Sequence, residues 1–137
     1  MKLVIVARGR IGQSPEAELV DRYAKRLRGV LSVTEIAENA PWPKGDGGRT
    51  VVLDETGTDL TSQALAAQLG LWRDEGVRET RFLIGAADGH DPATRASADL
   101  LLCMGRATWP HMLARAMLAE QLYRATTILT GHPYHRN

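Results

Sequence analysis

Three of the four histidines of this 137-residue chain stand toward its end, His111, His132 and His135, together with Arg106, Arg115, Arg124 and Arg136. Only Glu120 opposes them, so residues 104–137 carry +3, while residues 1–103 hold thirteen basic against fifteen acidic side chains, or −2. The closing run Gly-His-Pro-Tyr-His-Arg-Asn offers Tyr134 to stack on a base, and His135 and Arg136 to meet phosphate. The alternative reading of that run is a frayed, inert terminus. Glu120 and Arg124 stand at i and i+4, a pair worth a few tenths of a kcal/mol on a solvated helix, or part of a ligand site beside a subunit seam. No carboxylate–histidine spacing of the zinc-hydrolase kind accompanies the histidines, so no metal is expected.

A second candidate is the glycine-flanked turn Gly85-Ala86-Ala87-Asp88-Gly89. Its glycines allow a sharp turn and close approach of backbone to a ligand, or serve a bare strand-to-helix connection. It lacks the Gly-Lys-Ser/Thr of a phosphate loop and the Gly-x-Gly-x-x-Gly of a dinucleotide site, which disfavours NTP and NAD.

These residues need elements to position them. Residues 2–8 form a β-branched and aliphatic run, as in a strand buried on both faces. Ser14 is placed to cap a helix that starts at Pro15, carries Leu19, Val20, Tyr23 and Leu27, and runs up to Gly29. Period-2 alternation over residues 32–37 reads as a short strand. Residues 39–49, with Pro41, Pro43, Gly45, Gly47 and Gly48, read as a connector without helical period. A strand over 50–55 ends at Gly57, and Thr61 or Ser62 opens a helix to Gly76. Residues 80–84 form a strand, Asp91-Pro92 starts a short helix through Ala98, and residues 100–104 form another strand. A long helix follows from His111 to Leu129, stopped by Gly131 with Pro133 beyond. Its apolar residues fall in one stripe, Leu118, Leu122, Ala125 and Leu129, and elsewhere at Leu113, Met117 and Ile128. One face would then pack on the sheet and another on a second subunit, making a homodimer.

Alternating strands and helices predict an α/β fold with a mostly parallel sheet flanked by helices, and ligands beyond the carboxyl ends of the strands. Attention falls on the segments after Leu53, at Gly85–Gly89, and after Met104. A composition of 44% hydrophobic and 24% charged residues fits a single domain over 1–137. The net charge of +1 gives no whole-chain basic field. Apolar runs fall far short of the roughly 20 residues of a membrane span, and no secretory signal is evident, so a soluble cytoplasmic protein is expected. The lone Cys103 excludes an internal disulfide.

Taken in order, Leu53-Asp-Glu55, Phe82-Leu-Ile-Gly-Ala-Ala-Asp-Gly89, Thr108-Trp-Pro-His111, Leu113-Ala-Arg115, Ala119-Glu-Gln-Leu-Tyr-Arg-Ala125 and His132-Pro-Tyr-His-Arg136 resemble the ribosomal RNA large subunit methyltransferase H family. The resemblance covers nearly the whole chain. It implies a SPOUT-type fold with a C-terminal trefoil knot, and methylation of N3 of a pseudouridine in 23S rRNA with S-adenosylmethionine. It assigns cofactor binding to Leu53, Gly85, Met104, Gly105, Arg106, Ala107, Thr108 and Trp109. By position it puts His111, Arg124, Tyr134, His135 and Arg136 at the RNA, with Glu120, His135 and Arg136 catalytic. A homodimer acting on the assembled ribosome is the implied assembly, one tail reaching across to the other chain. Ala86 replaces the second of the family's paired glycines, Cys103-Met-Gly105 replaces a Ser-rich stretch, and the 39–49 connector stands where the family commonly has a helix. A SPOUT-fold RNA-binding protein without activity, and a methyltransferase acting on another RNA, are the alternatives.

Overall fold

The computed structural model describes residues 1–45 and 47–136; Asp46, inside the expected connector, and Asn137, at the end of the tail, lie outside the described residues. The chain runs β1 (Lys2–Arg8), α1 (Pro15–Arg26), β2 (Leu31–Ile36), β3 (Arg49–Asp59), α2 (Ser62–Asp74), β4 (Glu79–Ile84), α3 (Pro92–Ala96), β5 (Leu100–Cys103) and α4 (His111–Thr130). Helix starts follow capping chemistry. Ser14 accepts from the Ala17 N–H, Thr61 from Ala64 and Asp91 from Thr94, each satisfying a donor that the first turn leaves over. Gly131, at φ 75°, closes α4 in the left-handed conformation that glycine adopts without strain.

The strands form one parallel sheet in the order β2-β1-β4-β3-β5. Period-2 alternation splits its core. Leu3, Ile5, Ala7, Val51, Phe82, Ile84 and Leu102 pack with α1, α2 and the buried α4 stripe of Leu118, Leu122 and Ala125. Val6, Val52 and Leu83 face the other way, under a thinner cover of Trp42, Ala98 and Leu101. Trp42 anchors the connector: its indole N–H donates to Thr94 at 3.2 Å, and the Arg8 guanidinium lies 4.2 Å from its ring centre.

Two expectations need correction. Helix α1 ends at Arg26, with Leu27 as its cap, rather than continuing to Gly29. Strand β3 does not stop at Gly57 but runs to Asp59, because its pairing with β5 resumes after an irregularity: Leu53 and Thr58 both lie opposite Leu102. The polar residues between them read as a turn, yet they form a bulge inside a strand. Gly57 permits this close passage, since a Cβ there would meet the Leu101 carbonyl oxygen at 2.6 Å.

Candidate functional site

The bulge of β3 and the segments that leave β4 and β5 enclose a cleft of about 580 Å³, near the usual ligand position in an open parallel sheet. Leu53, Ile84, Leu102 and Met104 supply apolar lining. Trp109, 43% exposed, stands at the cleft with its indole N–H bonded to the Met104 carbonyl at 2.9 Å. Gly85 is buried, and a Cβ there would sit 3.1 Å from the Gly89 carbonyl oxygen and 3.2 Å from the His90 ring, so the turn has little room for a side chain. Gly105 takes φ 85°, and its N–H donates to Asp59 at 3.3 Å. Leu53, Gly85, Met104, Gly105, Ala107, Thr108, Trp109 and His111 thus line one cleft. Arg106 is exposed and is not among the lining residues.

One wall carries charge. The Asp54 side chain, 5% exposed, accepts from Arg95 Nε at 2.7 Å and from the Thr56 N–H and hydroxyl at 2.9 and 2.6 Å. Burial pushes the Asp54 carboxyl up, but the bonds from Thr56 and Arg95 outweigh it and bring the pKa down to about 2. His90, also lining the cleft, is 6% exposed, and neither ring nitrogen has a hydrogen-bond partner among the described residues. Burial pushes its pKa down against the opposing pull of Asp54. Sequence reasoning missed Asp54, His90 and Arg95 as members of this wall; Asp91-Pro92, which starts the helix bearing Arg95, was the one available signal.

The remaining assigned residues gather elsewhere on α4. Glu120 accepts from Arg124 Nη2 at 2.6 Å and from the Tyr134 hydroxyl at 3.0 Å, and Arg124 Nη1 lies 3.1 Å from His135 Nδ1. Tyr134 packs edge-on against Tyr123 at 4.7 Å, so the tail is folded back on the helix and is not frayed. Burial, with hydrogen bonds to Tyr23 and Glu120, pushes the Tyr134 phenol well up; the bond to Glu120 raises Arg124. Arg136 is exposed. His111 opens α4 and Glu120 lies at its midpoint, about 13 Å further along the axis at 1.5 Å per residue. Within one chain Glu120 is not among the cleft's lining residues but stands beside it, since the hollow that Glu120 borders shares Leu102, Cys103 and Met104 with the cleft. Glu120 borders a second hollow, of about 560 Å³, with Leu19, Tyr23, Leu113 and Met117. No group of three or more potential metal ligands occurs among the described residues, and no helix is long and apolar enough to cross a membrane.

A family model described as "Predicted SPOUT methyltransferase" matches residues 1–135. The chain is 66% identical to the ribosomal RNA large subunit methyltransferase H of Novosphingobium aromaticivorans, over 99% of both chains. It is 61% identical to that of Rhizorhabdus wittichii and 46% identical to that of Paramagnetospirillum magneticum, again over 99% of each chain. The loops at the carboxyl ends of the strands and the resemblance of the whole chain lead to one assignment: this protein belongs to the SPOUT methyltransferase family.

Proposed function

We propose that this protein methylates N3 of a pseudouridine in 23S rRNA with S-adenosylmethionine, acting in the cytoplasm as a homodimer on the assembled ribosome, with its C-terminal part tied in a trefoil knot. The observation that carries the reading is the cleft itself. Its apolar lining suits a flat heterocycle, its glycine turns bring backbone groups close, and the Asp54–Arg95 wall suits a charged amino-acid end, so the residues present fit this cofactor. Bound there, the cofactor would supply an electrophilic methyl group on a sulfonium.

The chain's own residues have three tasks. Leu53, Gly85, Met104, Gly105, Ala107, Thr108 and Trp109 hold and orient the donor, which lowers the entropic cost of an in-line approach. The tail residues Tyr134, His135 and Arg136 hold the target nucleotide, with Arg136 exposed to meet phosphate. N3 must lose its proton, and Glu120 or His135 is the residue to which this reading gives that task. That Glu120, Tyr134 and His135 are not among the lining residues of their own chain's cleft supports a site completed across a dimer, with Leu113 and Met117 contributing apolar surface to the seam.

Calorimetric titration with S-adenosylmethionine, with mass determination on the same sample, tests the reading. Saturable binding by a dimer, followed by appearance of N3-methylpseudouridine in treated 70S ribosomes, is the expected result. A protein that binds RNA without methyl transfer would be an inactive relative. Transfer to another RNA would leave the chemistry and overturn the substrate.

A further inference from the structure

The Asp54–Arg95 pair has a geometry that its own ion pairing does not use up. Both Asp54 oxygens are engaged: Oδ1 by the Thr56 N–H and hydroxyl, Oδ2 by Arg95 Nε. The carboxylate is 5% exposed, so it is a fixed anchor inside the wall. Arg95 is 41% exposed, lines the cleft, and spends only Nε on Asp54. No described hydrogen bond or ion pair engages its terminal Nη groups. A guanidinium held by one edge presents its other donors in a plane suited to a carboxylate. Arg95 is the one Lys or Arg among the cleft's lining residues, whose carboxylates are Asp54, Glu55 and Asp88.

Resting on the cofactor reading above, we infer that Arg95 is the receptor for the carboxylate at the amino-acid end of the cofactor, and that Asp54 is the positioning residue that aims it. The cleft thereby distinguishes adenosyl thioethers that carry an amino acid from those that do not.

The test is calorimetric titration of the full-length protein with S-adenosylhomocysteine, which has the amino-acid end, and with 5′-methylthioadenosine, which lacks it. A charge-assisted bond predicts that wild type prefers the first by about tenfold or more. Arg95→Gln should lose about tenfold for S-adenosylhomocysteine and under about twofold for methylthioadenosine, with Arg95→Lys recovering part of the loss. Asp54→Asn should lower the same preference, and the double variant should be no worse than Arg95→Gln, because the two act through one contact. The inference is overturned if Arg95→Gln weakens both ligands equally or neither. Wild type that binds neither ligand overturns the cofactor reading together with this one, whereas binding of both without discrimination overturns this one alone. Thermal melts of each variant establish that the proteins compared are folded.

Discussion

The Tyr134 hydroxyl donates to Glu120 at 3.0 Å, fastening the tail to the helix that precedes it. The contact satisfies a phenol that burial would otherwise leave costly, and it occupies the same Glu120 oxygen that Arg124 uses. Tyr134→Phe keeps the ring against Tyr123 and Arg124 but removes the donor. Loss of one such bond is worth about 1 kcal/mol. Hydrogen exchange of the tail amides should therefore quicken about fivefold, with the core unaffected. Unchanged exchange would mean that ring packing alone holds the tail.

Arg115 and Glu35 form an unequal ion pair, and the inequality sets the cost of breaking it. The Arg115 side chain is 1% exposed and also donates to the Gly9 carbonyl at 3.2 Å, whereas Glu35 is 35% exposed. Glu35→Ala leaves a guanidinium in the protein interior without its counter-charge, at a cost of about 3–5 kcal/mol. Arg115→Met leaves a carboxylate that water still reaches, and should cost about 2 kcal/mol. Urea midpoints at constant m-value decide the order; a costlier Arg115→Met would show that packing rather than charge dominates.

His90 is buried with both ring nitrogens unpartnered among the described residues, beside Trp42 at 5.7 Å. Its folded-state pKa lies below the ordinary histidine value, so below about pH 6.5 the unfolded chain takes up a proton that the folded chain resists. Stability should fall on acidification from pH 7, and His90→Leu should remove that part of the loss. Parallel pH profiles of the two proteins would contradict this.

The elements were legible because punctuation and periodicity agree: Ser14, Thr61, Asp91 and Gly131 mark helix ends by local chemistry that needs no tertiary contact. Strand β3 beyond Gly57 was not legible, since Asp54, Glu55 and Thr56 carry turn-like side chains while their continuation to β5 is held by backbone pairing. The cleft could be placed on three loops from strand order and resemblance. Its charged wall could not, because Asp54 and Arg95 meet only through folding, as do Glu35 and Arg115. The segregation of Glu120, Arg124, Tyr134 and His135 from the cleft is likewise a matter of helix length and tail path, which composition does not encode.

Gly57 tests how tightly β3 must pass β5. Its missing side chain is required by the Leu101 carbonyl oxygen, 2.6 Å from where a Cβ would stand, and by the Leu101 and Leu102 carbonyl carbons at 2.7 Å. Backbone cannot yield as a flexible side chain can, so Gly57→Ala should cost about 3 kcal/mol and loosen the bulge that carries Asp54. A melting temperature within a degree or two of wild type would show that the strands can move apart freely.

A site built from two chains makes a prediction that a site within one chain does not. Ala107 is exposed and lines the cleft, so Ala107→Trp should fill it without disturbing the core. A chain cut after Pro133 keeps its cleft but loses Tyr134, His135 and Arg136. Each variant alone should be inactive on ribosomes. Co-expressed, about half of the dimers are mixed, and each mixed dimer joins one intact cleft to one intact tail from opposite chains. Activity should return to about a quarter of wild type, since one site in two is whole in half of the dimers. If cleft and tail worked within the same chain, no mixed dimer would contain a complete site and activity would stay absent. A truncated chain that is active by itself would remove the tail from the site altogether.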